Sequence, residues 1–249
     1  MRLNSRVGIP QPFEGRNQKK GHFSLLFHPL RCDDEHVKSI KVLVVEDDAF
    51  SRVALIDALK LQGLNVVAGV SNAKDALEAQ KSFEPTVAVC DLDLGIGPTG
   101  LDIAQVLRQR NPNIGIVMLT SYRDPRLAGS DLPPLPQGAI LLNKRELQSM
   151  STILMQIIAA SSNPLKKRKT DWSKSPKFQS LSDTQISILI SIADGIPTSK
   201  IAEERGVSEQ AIEKTISRIC KNLDIPQLKD KNQRIQIVRA FFYGAGREI

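Results

Sequence analysis

The sequence predicts a doubly wound α/β domain with a five-stranded parallel sheet, followed by a small all-α domain containing a helix-turn-helix. Three observations predict it. Between residues 40 and 160, short apolar runs alternate with helical patterns, the rhythm of parallel strands joined by right-handed crossovers. Two of those runs, Lys41–Val45 and Val87–Cys90, end abruptly in acids. Beyond residue 178 every periodic stretch has helical spacing, with Gly206 between a short helix and a longer one.

The first strand, 40–45, leads into a helix at 49–61, where Phe50, Val53, Ala54, Ile56, Leu59 and Leu61 recur at helical spacing and Gly63 is the stop. A strand at 64–70 passes through Ser71 and Asn72 into a helix at 73–82. Pro85 opens the third strand, whose small and β-branched residues read as buried on both faces. A helix at 100–110 ends at Asn111 and Pro112, and a strand at 114–119 terminates in Thr120 and Ser121. The stretch 122–137 holds four prolines and has room only for a short fourth helix. A strand at 138–142 ends at Asn143 and Lys144, and a helix at 145–160 closes the domain.

Residues 1–39 show no sustained periodicity and read as a disordered basic extension. Residues 161–177, with six lysines or arginines and two prolines, read as a solvated basic linker. Ser182 and Gln185 form a capping-box pair for a helix at 183–194, ended by Gly195. Thr198 is the expected cap of a helix at 198–205, Ser208 caps a helix at 209–223, and a last helix spans about 231 to 243.

The chain of 249 residues is 41% apolar and 24% charged, as expected of a soluble globular protein with room for two domains. Its +7 charge is uneven: +3 over 1–39, −2 over 40–160 and +6 over 161–249. Only the last third is therefore expected to meet a polyanion. Cys32, Cys90 and Cys220 have no metal-ligand spacing, and the expectation is buried free thiols in a reducing cytoplasm. No apolar run has the length of a membrane span, and Phe23–Phe27 is too short for a signal-peptide core.

Acids at the carboxyl ends of buried strands are costly unless something uses them. In a sheet ordered 2-1-3-4-5, the first and third strands are neighbours, so Glu46, Asp47 and Asp91 converge. Such a cluster without His or Cys suits a hard cation, magnesium foremost. Thr120 ends the fourth strand and Lys144 the fifth, placing a hydroxyl and an ammonium at the same edge. A cation, a hydroxyl and a lysine around one nucleophilic carboxylate are the parts needed to accept a phosphoryl group. Asp48 and Asp93 fit better as helix caps.

On these residues, 40–160 resembles the receiver domain of two-component response regulators, a flavodoxin-like fold. The resemblance implies that Asp91 is phosphorylated and that magnesium binds Glu46, Asp47, Asp91 and the backbone carbonyl of Asp93. It also implies that Thr120 and Lys144 are the switch and phosphate-binding residues. The sequence departs from the family pattern at Gly95, usually proline, and in a loop one residue longer. Position 141, usually aromatic, is Leu141, and the proline-rich 125–136 replaces the fourth helix.

Residues 178–249 are similar to the DNA-binding domain of the NarL/LuxR family through Leu181–Gln185, Ala193–Gly195, Ile201-Ala202, Val207–Glu209 and Ala211–Arg218. Ile212, Ile216, Ile219 and Leu223 form an inner stripe, leaving Glu213, Lys214, Ser217, Arg218 and Lys221 outward. The resemblance adds Thr198, Ser199 and Ser208 to the DNA-binding set. The whole implies a cytoplasmic DNA-binding response regulator, phosphorylated by a histidine kinase or small phosphodonor and homodimeric when active. No catalysis beyond self-phosphorylation and self-dephosphorylation is expected. One rival is a phosphorylation-independent DNA-binding regulator whose receiver only dimerises or docks. Another is a phosphatase using Asp91 and Asp93 as haloacid-dehalogenase-like enzymes do.

Overall fold

A computed structural model describes residues 34–129, 132–167, 176–226 and 232–247. The chain begins there with a short helix, α1 (Asp34–Ser39), then β1 (Lys41–Val45), α2 (Ala49–Leu61), β2 (Asn65–Val70) and α3 (Ala73–Phe83). It continues through β3 (Val87–Asp91), α4 (Gly100–Arg110), β4 (Gly115–Thr120), β5 (Ile140–Asn143) and α5 (Met150–Ser162). The helical part comprises α6 (Pro176–Gln179), α7 (Asp183–Ala193), α8 (Thr198–Arg205), α9 (Glu209–Asn222) and α10 (Gln233–Gly244).

The five strands are parallel and ordered β2-β1-β3-β4-β5, as the alternating pattern predicts. Every residue of β3 and β4 is buried, which explains their continuous apolar sequence. α2 and α5 cover one face of the sheet, and α3 and α4 the other. Pairing of Val45 with Cys90, Asp91 with Leu119 and Thr120 with Asn143 brings the polar strand ends to one edge. Cys90 and Cys220 are buried free thiols, and burial pushes the Cys90 thiol up to about 12.

Gly100, the first residue of α4, sits against the end of β3. A Cβ there would collide with the Asp91 carbonyl oxygen. That obstacle is backbone and cannot rotate away, so Gly100→Ala is expected to cost about 3 kcal/mol or more. Urea unfolding of the α/β domain measures it, and an unchanged midpoint would mean that α4 starts elsewhere.

Several boundaries and faces differ from expectation. Residues 34–39, assigned to the disordered extension, are helical because Val37 and Ile40 dock into the core. The remainder of that extension, and the middle of the linker, lie outside the described residues. α5 starts at Met150 rather than 145 because residues 144–146 make a turn, in which Glu146 N–H donates to the Asn143 carbonyl. α5 also runs to Ser162, inside the linker as drawn from sequence, and α6 begins at Pro176 because Phe178 is a core residue. On α2 only Leu59 is buried, whereas Phe50, Val53 and Leu61 are exposed. Its inner line runs instead through Arg52, Leu55, Ile56 and Leu59.

Between β4 and β5 the backbone makes one 3-10 turn, Pro125–Ala128, where a fourth helix would stand. Leu127 from this turn is 2% exposed and belongs to the core of the helical domain, beside Phe178, Leu181 and Leu189. Arg126 reaches the same neighbour, donating to the carbonyls of Phe178 and Leu181 and to the Asp183 carboxylate, while pairing with buried Asp124. The two domains are thus stapled through residues 124–127.

In the helical domain the Ser182–Gln185 capping box is present, and Gly206 adopts the left-handed conformation that ends α8. Ser208 caps α9 through the Ala211 N–H. Thr198 is not a cap: Pro197 occupies that position, and its fixed φ suits the entry to α8. No described helix is long and apolar enough to cross a membrane.

Candidate functional site

Glu46, Asp47 and Asp91 each place one carboxylate oxygen within 4.8 Å of the others. Glu46 and Asp91 are buried, and Asp47 is exposed at the mouth. The convergence follows from the register: β1 and β3 are adjacent, and each ends where its apolar run stops. Lys144, one residue past β5, is held at this edge by its N–H donating to the Thr120 carbonyl. Its ammonium lies 2.7 Å from Glu46 Oε2 and 2.9 Å from Asp91 Oδ2.

Burial is the main force on Asp91, pushing its carboxyl up to about 6 against the opposing charge of Lys144 and with help from Glu46. Burial also works against the Lys144 ammonium, but Asp91 and Glu46 outweigh it and its pKa is raised. Asp91 Oδ1 accepts from the Leu92 N–H at 2.8 Å. Five acids, Glu46, Asp47, Asp48, Asp91 and Asp93, stand here against Lys144, Arg145 and Arg247, so the pocket is short of positive charge, the condition a divalent cation relieves; the Glu46–Asp47–Asp91 donor set is all oxygen and fits one.

Thr120 is buried at the end of β4, and its Oγ1 accepts from the Tyr122 N–H at 3.0 Å. Asp48 caps α2 by accepting from the Ser51 N–H at 2.7 Å. Asp93 is not a helix cap, because Thr99 caps α4; its oxygens accept from Gly95 N–H and from the Tyr122 hydroxyl. The site lies in a cavity of about 450 Å³. Its lining includes the acids and Asp93, and also Ser121 and Tyr122 with Ala245, Gly246 and Arg247 from the end of the helical domain. Sequence reading missed Tyr122 and residues 245–247 here, since nothing local to either segment signals that they meet.

On the helical domain, Ile212, Ile219 and Leu223 are buried and Ile216 half-buried, so α9 presents its other side outward. Glu213, Lys214, Ser217, Arg218 and Lys221 are exposed, as are Ser199 in the first turn of α8 and Ser208 at the cap of α9. Thr198 is half-buried, its hydroxyl accepting from Arg234 at the edge of hydrogen-bond range. Seven of the eight DNA-contact candidates therefore face solvent, and the acids of the pocket lie on the other domain.

Residues 42–132 match the response regulator receiver domain. The transcriptional regulatory protein LnrK of Bacillus subtilis is 22% identical over 214 residues, covering 78% of this chain and 94% of that protein. The oxygen regulatory protein NreC of Staphylococcus haemolyticus is 26% identical over 210 residues, covering 79% and 95%. The DNA-binding transcriptional activator EvgA of Escherichia coli is 22% identical over 198 residues, covering 77% and 95%. A solved structure of the two-component response regulator RcsB–DNA complex has the same fold, with a TM-score of 0.50 at 18% identity, over 81% of this chain and 96% of that one. With a receiver domain at its acid pocket and a helix-turn-helix domain behind it, the chain is similar over more than three quarters of its length to two-component regulators of transcription.

Proposed function

We propose that this chain is a cytoplasmic, DNA-binding response regulator of a two-component system, switched by magnesium-dependent phosphorylation of Asp91. The observation that carries the reading is the ion-paired cluster of Glu46, Asp91 and Lys144 beside Asp47, closed by a buried threonine. A carboxylate oxygen of Asp91 attacks phosphorus, and the donor's nitrogen or oxygen leaves as the new O–P bond forms. Glu46, Asp47, Asp91 and the Asp93 carbonyl would hold the magnesium ion, which when bound neutralises phosphoryl oxygens. Lys144 supplies a fixed positive charge, and Thr120 offers a hydroxyl to the product. The donor is a histidine kinase or a small phosphorylated metabolite. Apart from gaining and losing its own phosphoryl group, the protein turns over no substrate.

The output follows from α9. Its exposed Lys214, Ser217, Arg218 and Lys221 suit phosphates and base edges of the major groove, and the named activity of the EvgA relative supports this. Two copies would occupy half-sites about one helical turn apart. Leu141 and the 3-10 turn that stands in place of a fourth helix among the described residues favour a second reading, a phosphorylation-independent regulator; the complete acid–lysine pocket weighs against it. Sequencing the genomic fragments captured by the full chain identifies its sites. Lys214→Ala should weaken binding to them by about 1–3 kcal/mol if it reads a base. Undiminished binding, with the fold intact, would move the contact surface off α9.

A further inference from the structure

Leu141 leaves the edge of β5 without a ring. A ring lines the pocket instead from the loop that follows β4. Tyr122 touches three things at once. Its hydroxyl donates to Asp93 Oδ2 at 3.1 Å, two residues from the phosphoacceptor. Its N–H is bound to Thr120 Oγ1, the hydroxyl that must serve a phosphoryl group. Its ring packs against both hydrophobic cores, that of the sheet and that of the helical domain.

The neighbours of Tyr122 make its loop part of the domain contact. Arg123 N–H donates to the Gly244 carbonyl at 2.7 Å, and the Arg123 guanidinium lies 4.2 Å over the Tyr243 ring. Gly246 sits so close to Ser121 that a Cβ would collide with the Ser121 carbonyl oxygen. A loop gripped this tightly cannot shift toward the pocket while residues 243–247 keep their seat. Burial and the nearby carboxylates of Asp93 and Asp91 raise the Tyr122 hydroxyl to about 12, so it is a proton donor at neutral pH.

We propose that Tyr122 is the positioning residue that couples the phosphoacceptor pocket to the helical domain, a role resting on the phosphorylation of Asp91 proposed above. A phosphoryl dianion on Asp91 repels the Asp93 carboxylate and offers the Tyr122 hydroxyl a more strongly charged acceptor. The hydroxyl changes partner, Thr120 turns to the phosphoryl oxygens, and the ring is drawn from between the two cores. Residues 243–247 then lose their contact with 121–123. The coupling free energy is the difference between the hydroxyl's partners in the two states, because only a differential contact can shift such an equilibrium.

Amide hydrogen exchange of the full chain, with and without magnesium and beryllofluoride, tests this. In the wild type, the mimic should slow exchange at 91–95 and speed it about tenfold at 241–247. Tyr122→Phe keeps the ring but loses the hydroxyl. It should protect 91–95 as the wild type does and leave 241–247 protected without the mimic, while the response of 241–247 shrinks to about twofold or less. A ring that merely filled space would leave that response unchanged. A full response in Tyr122→Phe overturns the role of Tyr122. Protection of 91–95 in the wild type without any change at 241–247 overturns the coupling and leaves the phosphoacceptor intact. No protection of 91–95 overturns both.

Discussion

Asp91→Asn is expected to abolish incorporation of acid-labile phosphate from a small phosphodonor, whereas Asp93→Asn leaves it largely intact. An amide cannot form the acyl phosphate, and no described neighbour replaces it: Glu46 is committed to Lys144, and Asp47 lies at the exposed mouth. The folded protein should tolerate the change. Burial holds the Asp91 carboxyl at about 6, so its ionised form is disfavoured in the native state relative to an exposed aspartate. Removing that charge near neutral pH relieves repulsion with Glu46, and Lys144 keeps one partner at 2.7 Å. Stability should hold or rise while phosphate incorporation vanishes. Equal loss in Asp91→Asn and Asp93→Asn, measured on filters after incubation with labelled phosphodonor, would place the nucleophile elsewhere.

The second large effect is expected at the staple between the domains. Leu127 belongs by sequence to the sheet domain but is buried in the core of the helical one. Leu127→Ala should therefore cost about 2–5 kcal/mol, the range for a leucine deleted from a packed core, and the loss should fall on the helical domain. Two unfolding transitions should replace a shared one in calorimetry, with the sheet domain's own transition little moved. A change within about 0.5 kcal/mol, the size of an ordinary surface substitution, would mean that residues 124–127 are solvated in solution. Arg126 supports the same contact, since its pairing with Asp124 and hydrogen bonds to Phe178 and Leu181 span both domains.

The acid–lysine cluster was readable in sequence because its parts sit at strand ends. Glu46, Asp91 and Thr120 each follow directly on an apolar run and Lys144 comes one residue after one, and parallel pairing aligns such ends without side-chain detail. The helix-turn-helix was readable for a similar reason, since Gly206 and the caps at Ser182 and Ser208 mark its turns locally. What escaped depends on contacts between distant segments. Tyr122, Arg126 and Leu127 sit in a proline-rich stretch with no period; the Tyr122 hydroxyl reaches Asp93, 29 residues away, and Arg126 and Leu127 reach segments more than 50 residues away. The apolar residues of α2 misled because two overlapping helical stripes satisfy the spacing; packing against the sheet selects the one through Leu55, Ile56 and Leu59.

Charge at Asp91 is expected to change what α9 does to DNA. The affinity of the full chain for a captured genomic fragment, with and without magnesium and beryllofluoride, in the wild type and in Asp91→Asn, decides this. Tighter binding with the mimic in the wild type, absent from Asp91→Asn, is the predicted result. Equal, specific binding in all four conditions would contradict it and identify a regulator that reads DNA without reading its own pocket.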